Sequence, residues 1–272
     1  MGGYAMKERM VKRILSVVLA LGFVLPAYSQ GVYWETVTSG GPAGEKGHLS
    51  TMYHMPKMFK AVVDESGQTM ILRIDKQLIY MVDPKRETYS EMTFDEMEGA
   101  MKKAGEAMDG QMAELQKQME DMPEEQRKMM EQMMGGKMKG MMKRDAAAKV
   151  KVNKTGNKKK IGNYQCTKVE VTDDDKPFFT AWVTKDVGEF EAMRDDMEQF
   201  RKRIIALNPM SPKGLSEAMA KIEGLPIEME MEGGMKQVVT KIEKRSIPAS
   251  EFEIPAGYEK VESELMQGMK EK

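Results

Sequence analysis

The spacing of the apolar residues changes at Thr93, and that switch constrains the fold more than any other feature. Before it, apolar and polar residues alternate in short runs. After it, apolar residues recur at Met97, Met101, Ala104, Met108, Met112, Leu115, Met119 and Met122, in steps of three and four. Alternation marks a half-buried strand, and the three-four step marks one face of a helix. The chain is therefore expected to be a β protein with a long helical segment set into it. Thr93-Phe94-Asp95-Glu96 marks the boundary, because a Thr hydroxyl and a Glu carboxylate three residues apart cap a helix reciprocally. Met92 and Met97 have the spacing of a hydrophobic staple. Pro123 breaks the pattern, since Pro suits a first helical turn and disrupts an interior. The expectation is one helix from about Phe94 to Met119 and a second from about Pro123 to Met134, stopped by Gly135-Gly136.

The alternating runs before the switch are Val32 to Thr38, His48 to Tyr53, Phe59 to Val63, Met70 to Ile74, Leu78 to Val82 and a strand starting at Thr88. They are separated by turn residues, among them Asp83-Pro84 with Asp and Pro at the first two positions of a type I turn. Strands return at Val150. Gly156-Asn157 and Gly162-Asn163 read as turn pairs, which leaves Lys158, Lys159 and Lys160 in a turn, as a solvated tip. Tyr164 to Val171 and Phe178 to Val183 are further strands. Asp186 and Glu189 read as a second capping box, opening a helix to Asn208 with a stripe of Phe190, Met193, Met197, Phe200, Ile204 and Leu207. A short helix after Ser211-Pro212 closes at Gly224. Ile227 to Met231 and Val238 to Ile242 pair across Gly233-Gly234, and Phe252 to Tyr258 is a last extended piece. Closely spaced strands with separate helices give an α+β fold with an antiparallel sheet.

The chain opens with Lys7, Arg9, Lys12 and Arg13, followed by an apolar run from Ile14 to Leu25 and small residues at Ala27 and Ser29. This is the layout of a secretory signal peptide over residues 1–29, cleaved after Ser29. The run is short of the roughly 20 apolar residues a membrane span needs, so no transmembrane segment is expected in the mature chain. The expected location is the periplasm. A net charge of −1 argues against general nucleic-acid binding. The single Cys, Cys166, has no partner for an internal disulfide. His48 and His54 are the only histidines, and neither a GxSxG elbow nor a Gly-rich phosphate loop is present. An enzyme is not expected.

Five phrases occur in a definite order. They are Gln77 to Pro84 with Tyr89; Ile161 to Lys168; Ala181 to Asp186; Gly224 to Ile227; and Phe252 to Tyr258. Together with the phrase from Met122 to Met134, which contains Pro123-Glu124-Glu125-Gln126-Arg127, the set resembles the DUF4412 family of exported bacterial proteins. That family is similar in layout to the lipoprotein carriers LolA and LolB. The resemblance implies one domain over residues 30–272: a curved antiparallel half-barrel with helices across its open face. The Met-rich helical segment, about residues 93–143, is an insertion relative to the carriers. No catalytic residues are implied.

These readings lead to a non-catalytic protein of the periplasm or cell envelope that binds an apolar ligand, a lipid or an acylated peptide. Trp34, Tyr80, Phe179 and Trp182 are expected to line or support the concavity, and Met97, Met101, Met108 and Met112 to cover it. Methionine has three flexible torsions and a polarizable sulfur, so it moulds to varied apolar shapes. An alternative rests on the crowded Met129, Met130, Met133, Met134, Met138, Met141 and Met142. Thioethers favour Cu(I), and exposed methionines buffer oxidants. No cofactor is expected otherwise. A third alternative is a partner-binding role, with the three-four stripe dimerising or meeting another envelope protein.

Overall fold

Runs of β-branched and aromatic residues broken by short turns build most of this chain. The computed structural model describes residues 28–41, 44–120, 122–126, 150–173, 175–207 and 215–263. The first six strands are β1 (Tyr28–Ser39), β2 (His48–Met55), β3 (Met58–Val63), β4 (Thr69–Arg73), β5 (Leu78–Asp83) and β6 (Thr88–Thr93). Helix α1 (Phe94–Glu120) follows directly. Then come β7 (Lys151–Ile161), β8 (Tyr164–Asp173), β9 (Lys176–Thr184), α2 (Phe190–Arg203), a 3-10 turn η1 (Ile205–Leu207) and α3 (Leu215–Ala220). The chain closes with β10 (Leu225–Met231), β11 (Lys236–Pro248), a second 3-10 turn η2 (Ala249–Phe252) and β12 (Glu259–Lys260).

All twelve strands form one open sheet in the order β12-β6-β5-β4-β3-β2-β1-β11-β10-β9-β8-β7. Neighbours are antiparallel except β12, which runs parallel to β6. The early meander and the late strands are joined by the long β1–β11 pair, which carries a bulge at Glu35/Thr36. Gly31 sits at that joint because a Cβ there would meet the His54 carbonyl oxygen at 2.5 Å.

Side chains alternate across a strand, so the register sorts residues onto two faces. Trp34 stands in one row with Met52, Ala61, Met70 and Met81. This face carries the helices. Leu72, Ile74 and Ile79 pack there with Phe94 of α1 and with Phe200 and Ile204. Val32 and Trp34 pack with Met193 of α2. Toward β7, Val169, Val171, Phe179 and Ala181 pack with Ala218 of α3 and Ile222. On the opposite face, Phe252 of η2 is fully buried with Met55, Ile71, Val82 and Ile247. Among the described residues, no helix is long and apolar enough to cross a membrane.

The structure corrects several local expectations. Gly156-Asn157 does not turn the chain: β7 runs through it, with extra residues bulged between Lys154 and Lys158. Lys158, Lys159 and Lys160 therefore lie within β7, paired with Thr167, Cys166 and Gln165, and not in a turn. Asp186 does not cap α2. Its carboxylate accepts the Gln165 backbone N–H at 3.0 Å, and the helix begins at Phe190 behind Glu189, whose side chain makes no cap. Glu189 instead pairs with Lys244. α2 ends at Arg203, and the chain tightens into η1. Phe252 closes η2 and does not start an extended piece. Only the first turn of the helix expected after Pro123, residues 124–126, is described. Residues 1–27 of the signal peptide expected over residues 1–29 lie outside the described residues, and β1 opens two residues before the expected mature start at Gln30.

Candidate functional site

The capping box holds α1 at the end of β6. The Thr93 N–H donates to Glu96 Oε2 at 2.7 Å, and the Glu96 N–H donates to Thr93 Oγ1 at 3.1 Å. The cap's hydrogen bonds keep the Glu96 carboxyl below the usual carboxylate range. Helix α1 thus leaves the sheet with Phe94 fully buried and Met97 packed beside it. Arg203 of α2 clamps the same turn, donating to Asp95 and, at 3.0 Å, to Glu98 Oε2.

Under this root lies a cavity of about 340 Å³. Its apolar wall includes Ile79, Met81, Met92, Met97 and Val261, and Gln68, Asp83 and Arg86 are among the residues that contribute polar groups. Ile79, Met81 and Met92 stand on the helix-bearing face, since Ile79 pairs with Met92 and Met81 stands in the Trp34 row. Met81 is 49% exposed and Val261 42%, so the wall presents apolar surface to solvent.

Of the four methionines expected to cover a ligand, Met97 lines this cavity. Met101, Met108 and Met112 fall further along α1 and are half-buried. The four aromatics do not share a face. Trp34 is buried beneath α2, edge-on to Phe59 at 5.5 Å. Tyr80 stands in the row of Ile71, Lys60, Tyr53 and Tyr33, on the other side. Phe179 packs beside α3. Trp182, three residues on, faces the opposite way, with the Lys159 ammonium 4.3 Å from its ring centre. None of the four lines the cavity. Of the residues that do, Met92 was marked only as half of a hydrophobic staple and Met81 only as part of an alternating run, and Val261 carried no sequence signal. The methionines from Met129 to Met142, read as possible Cu(I) ligands, lie outside the described residues.

Two polar groups on the sheet complete the picture. His54 is buried in the row of Val32, Phe59 and Leu72. Its Nε2 is 3.0 Å from Asp196 Oδ2 on α2, and the same oxygen accepts the Lys57 N–H at 2.8 Å. Burial lowers the His54 pKa, and Asp196 works against that shift. This pair fastens α2 to the β2–β3 hairpin. Cys166 is buried, and burial pushes its thiol up, away from the reactive thiolate.

The family described as "Domain of unknown function (DUF4412)" matches residues 94–258, more than half of the chain. The chain belongs to that family. The DUF4412 match starts at the first residue of α1, so the Met-rich segment falls inside it while β1 to β6 precede it. No curated protein matches the chain. Among solved structures, those of PNGF-II in the C2 and P21 space groups are similar at 9% and 8% identity, each with a TM-score of 0.39. They cover 89% of this DUF4412 chain, which spans 32% and 33% of theirs.

Proposed function

We propose that this protein is a non-catalytic component of the cell envelope that holds an apolar ligand, a lipid or acyl chain, at the root of α1. The observation that carries the reading is the cavity walled by Ile79, Met81, Met92, Met97 and Val261. A volume of about 340 Å³ falls within the roughly 300–1,000 Å³ of small-ligand sites, which are mostly apolar with a few placed polar groups. Three of the apolar wall residues are methionines, which adapt to chains of different shape. The open sheet with helices on one face fits a curved half-barrel in the manner of the lipoprotein carriers, with α1 over its margin. The basic and apolar segments before Ser29 support export to the periplasm.

Native mass spectrometry after mild extraction is expected to show co-purifying lipid, and a fluorescent fatty acid is expected to bind the purified protein. Met97→Lys and Met81→Lys place a charge in the wall and should weaken the probe about tenfold or more. A clean apo mass together with no probe binding sinks the proposal.

A further inference from the structure

At the outer end of the sheet, β7 carries two residues more than its partner. Lys154 pairs with Val169 and Lys158 with Thr167, so the three residues 155–157 of β7 oppose the single Lys168 of β8. In a regular strand, side chains four residues apart are separated by about 13 Å. Here they stand opposite neighbours only two apart, a spacing of about 7 Å. Gly156, at φ 77°, supplies the left-handed residue within the bulge. The bulge therefore gathers two lysines that the sequence spaces apart. Val169 pairs with Ala181, in the strand alternation of Phe179, so both lysines stand on the helix-bearing face.

Lys154 and Lys158 line a cavity of about 480 Å³ with Lys185 and Glu223. A second, of about 630 Å³, continues past Lys185 and Glu223, which line both, to Arg194 and Lys221. The combined groove has five cations (Lys154, Lys158, Lys185, Arg194 and Lys221) against three carboxylates (Asp186, Glu191 and Glu223). That is a surplus of two positive charges among the lining residues, with Arg194 also 3.6 Å from the exposed Asp195 carboxylate beside them, in a chain whose net charge is −1. Asp186 is already engaged by the Gln165 N–H.

Glu223 bridges two of the lysines across the groove. Its Oε1 is 3.1 Å from Lys154 Nζ and its Oε2 is 2.6 Å from Lys185 Nζ. Lys185 first and Lys154 second pull its carboxyl down to about 2, so it stays ionised at any physiological pH. Its backbone is held in place by Gly224, at φ 120°, where a Cβ would meet the Thr184 carbonyl oxygen at 2.4 Å. Its side chain is half exposed. The Lys158 side chain has no ion-pair or hydrogen-bond partner among the described residues.

We propose that this groove binds a phosphate monoester, with Lys158 supplying the unmatched charge and Glu223 acting as a built-in competitor that the ligand displaces from Lys154 and Lys185. A phosphomonoester carries about −1.5 to −2 at neutral pH, which matches the surplus. Lysine ammoniums bind it as point charges without fixed geometry. The group arrives either on a soluble molecule or as the headgroup of phosphatidic acid in a bilayer.

The test uses the full chain and two probes: glycerol 3-phosphate by calorimetry, and co-sedimentation with phosphatidylcholine vesicles with and without phosphatidic acid. Lys158→Ala should weaken binding about fivefold. Glu223→Gln should tighten it by about threefold or more, because the internal anion is gone. Lys176→Ala removes an exposed lysine outside the groove and should change nothing. Binding of glycerol 3-phosphate alone identifies a soluble ligand, and binding of phosphatidic acid vesicles alone identifies a headgroup. Either supports the site if the variants rank as stated. The proposal is overturned if neither probe binds, if Lys158→Ala and Lys176→Ala lose binding equally, or if Glu223→Gln leaves it unchanged or weaker.

Discussion

Helices α1 and α2 carry apolar stripes of the same spacing, yet they meet the sheet in different ways. Along α2, Phe190 and Met193 pack with Trp34, while Met197, Phe200 and Ile204 pack with Leu72 and Ile79. The Asp196–His54 pair adds a polar fastening midway. Along α1, Phe94 and Met97 join the same packing, and Arg203 clamps Asp95 and Glu98. Beyond Ala100, Met101, Met108 and Met112 are half-buried and belong to none of the apolar clusters formed by the described residues. The stripe of a helix reports that one face is apolar. It does not report what that face covers.

The contrast can be broken most forcefully at α2. Phe200→Ala removes a ring from a packed cluster and should cost about 3–5 kcal/mol, read as a lowered urea midpoint. A loss as small as that of a surface substitution would mean that α2 is not the bound helix.

Asp196→Ala should cost about 1–3 kcal/mol, because it leaves the His54 ring nitrogen and the Lys57 N–H without their acceptor. The same pair predicts a pH dependence. Burial holds the folded His54 pKa below 6.5, so the unfolded chain takes up the proton first as pH falls. The contribution of His54 is therefore present above about pH 6.5 and lost progressively below it. Urea midpoints between pH 8 and 5 should show this slope, and His54→Asn should flatten it relative to the parent chain.

Arg203→Ala sharpens the comparison at the point where the helices meet. Amide exchange should quicken in the first turns of α1 and remain slow in the β1–β2 and β1–β11 pairs. Uniform quickening across the sheet would show that the clamp serves the whole fold. The smallest effect is expected from Met112→Ala on the half-buried stripe, below about 1 kcal/mol in the same urea measurement. A cost equal to that of Phe200→Ala would place α1 in the core.

Much of the strand layout is legible in local patterns. The expected strands match β2, β3, β4, β5, β8 and β9 to within about two residues, and the Thr93–Glu96 box marks the start of α1 as it stands. The same local reading misplaced Lys158 to Lys160, because Gly-Asn is a turn signal and a bulge uses the same residues for the same left-handed backbone. It misassigned Asp186 as well. The carboxylate is spaced to cap α2, but the Gln165 N–H, 21 residues earlier, takes it. The candidate site was half legible: Met97 was singled out, while Met81 and Val261 were not.

By itself, the sequence determined the elements, because alternation, helical spacing and caps arise among residues a few positions apart. Which side chains share a face was decided only by the tertiary structure. The Trp34 and Tyr80 rows separate through registers running across β1 to β5. The root of α1 acquires its cavity wall because β12 brings Val261 beside Tyr89, 172 positions away. Lys154 and Lys185 converge on Glu223, with Lys158 lining the same cavity, through a bulge and a loop that touch only in the folded chain. Such contacts depend on strand order and register, and a one-residue slip would turn each of these side chains to the other side.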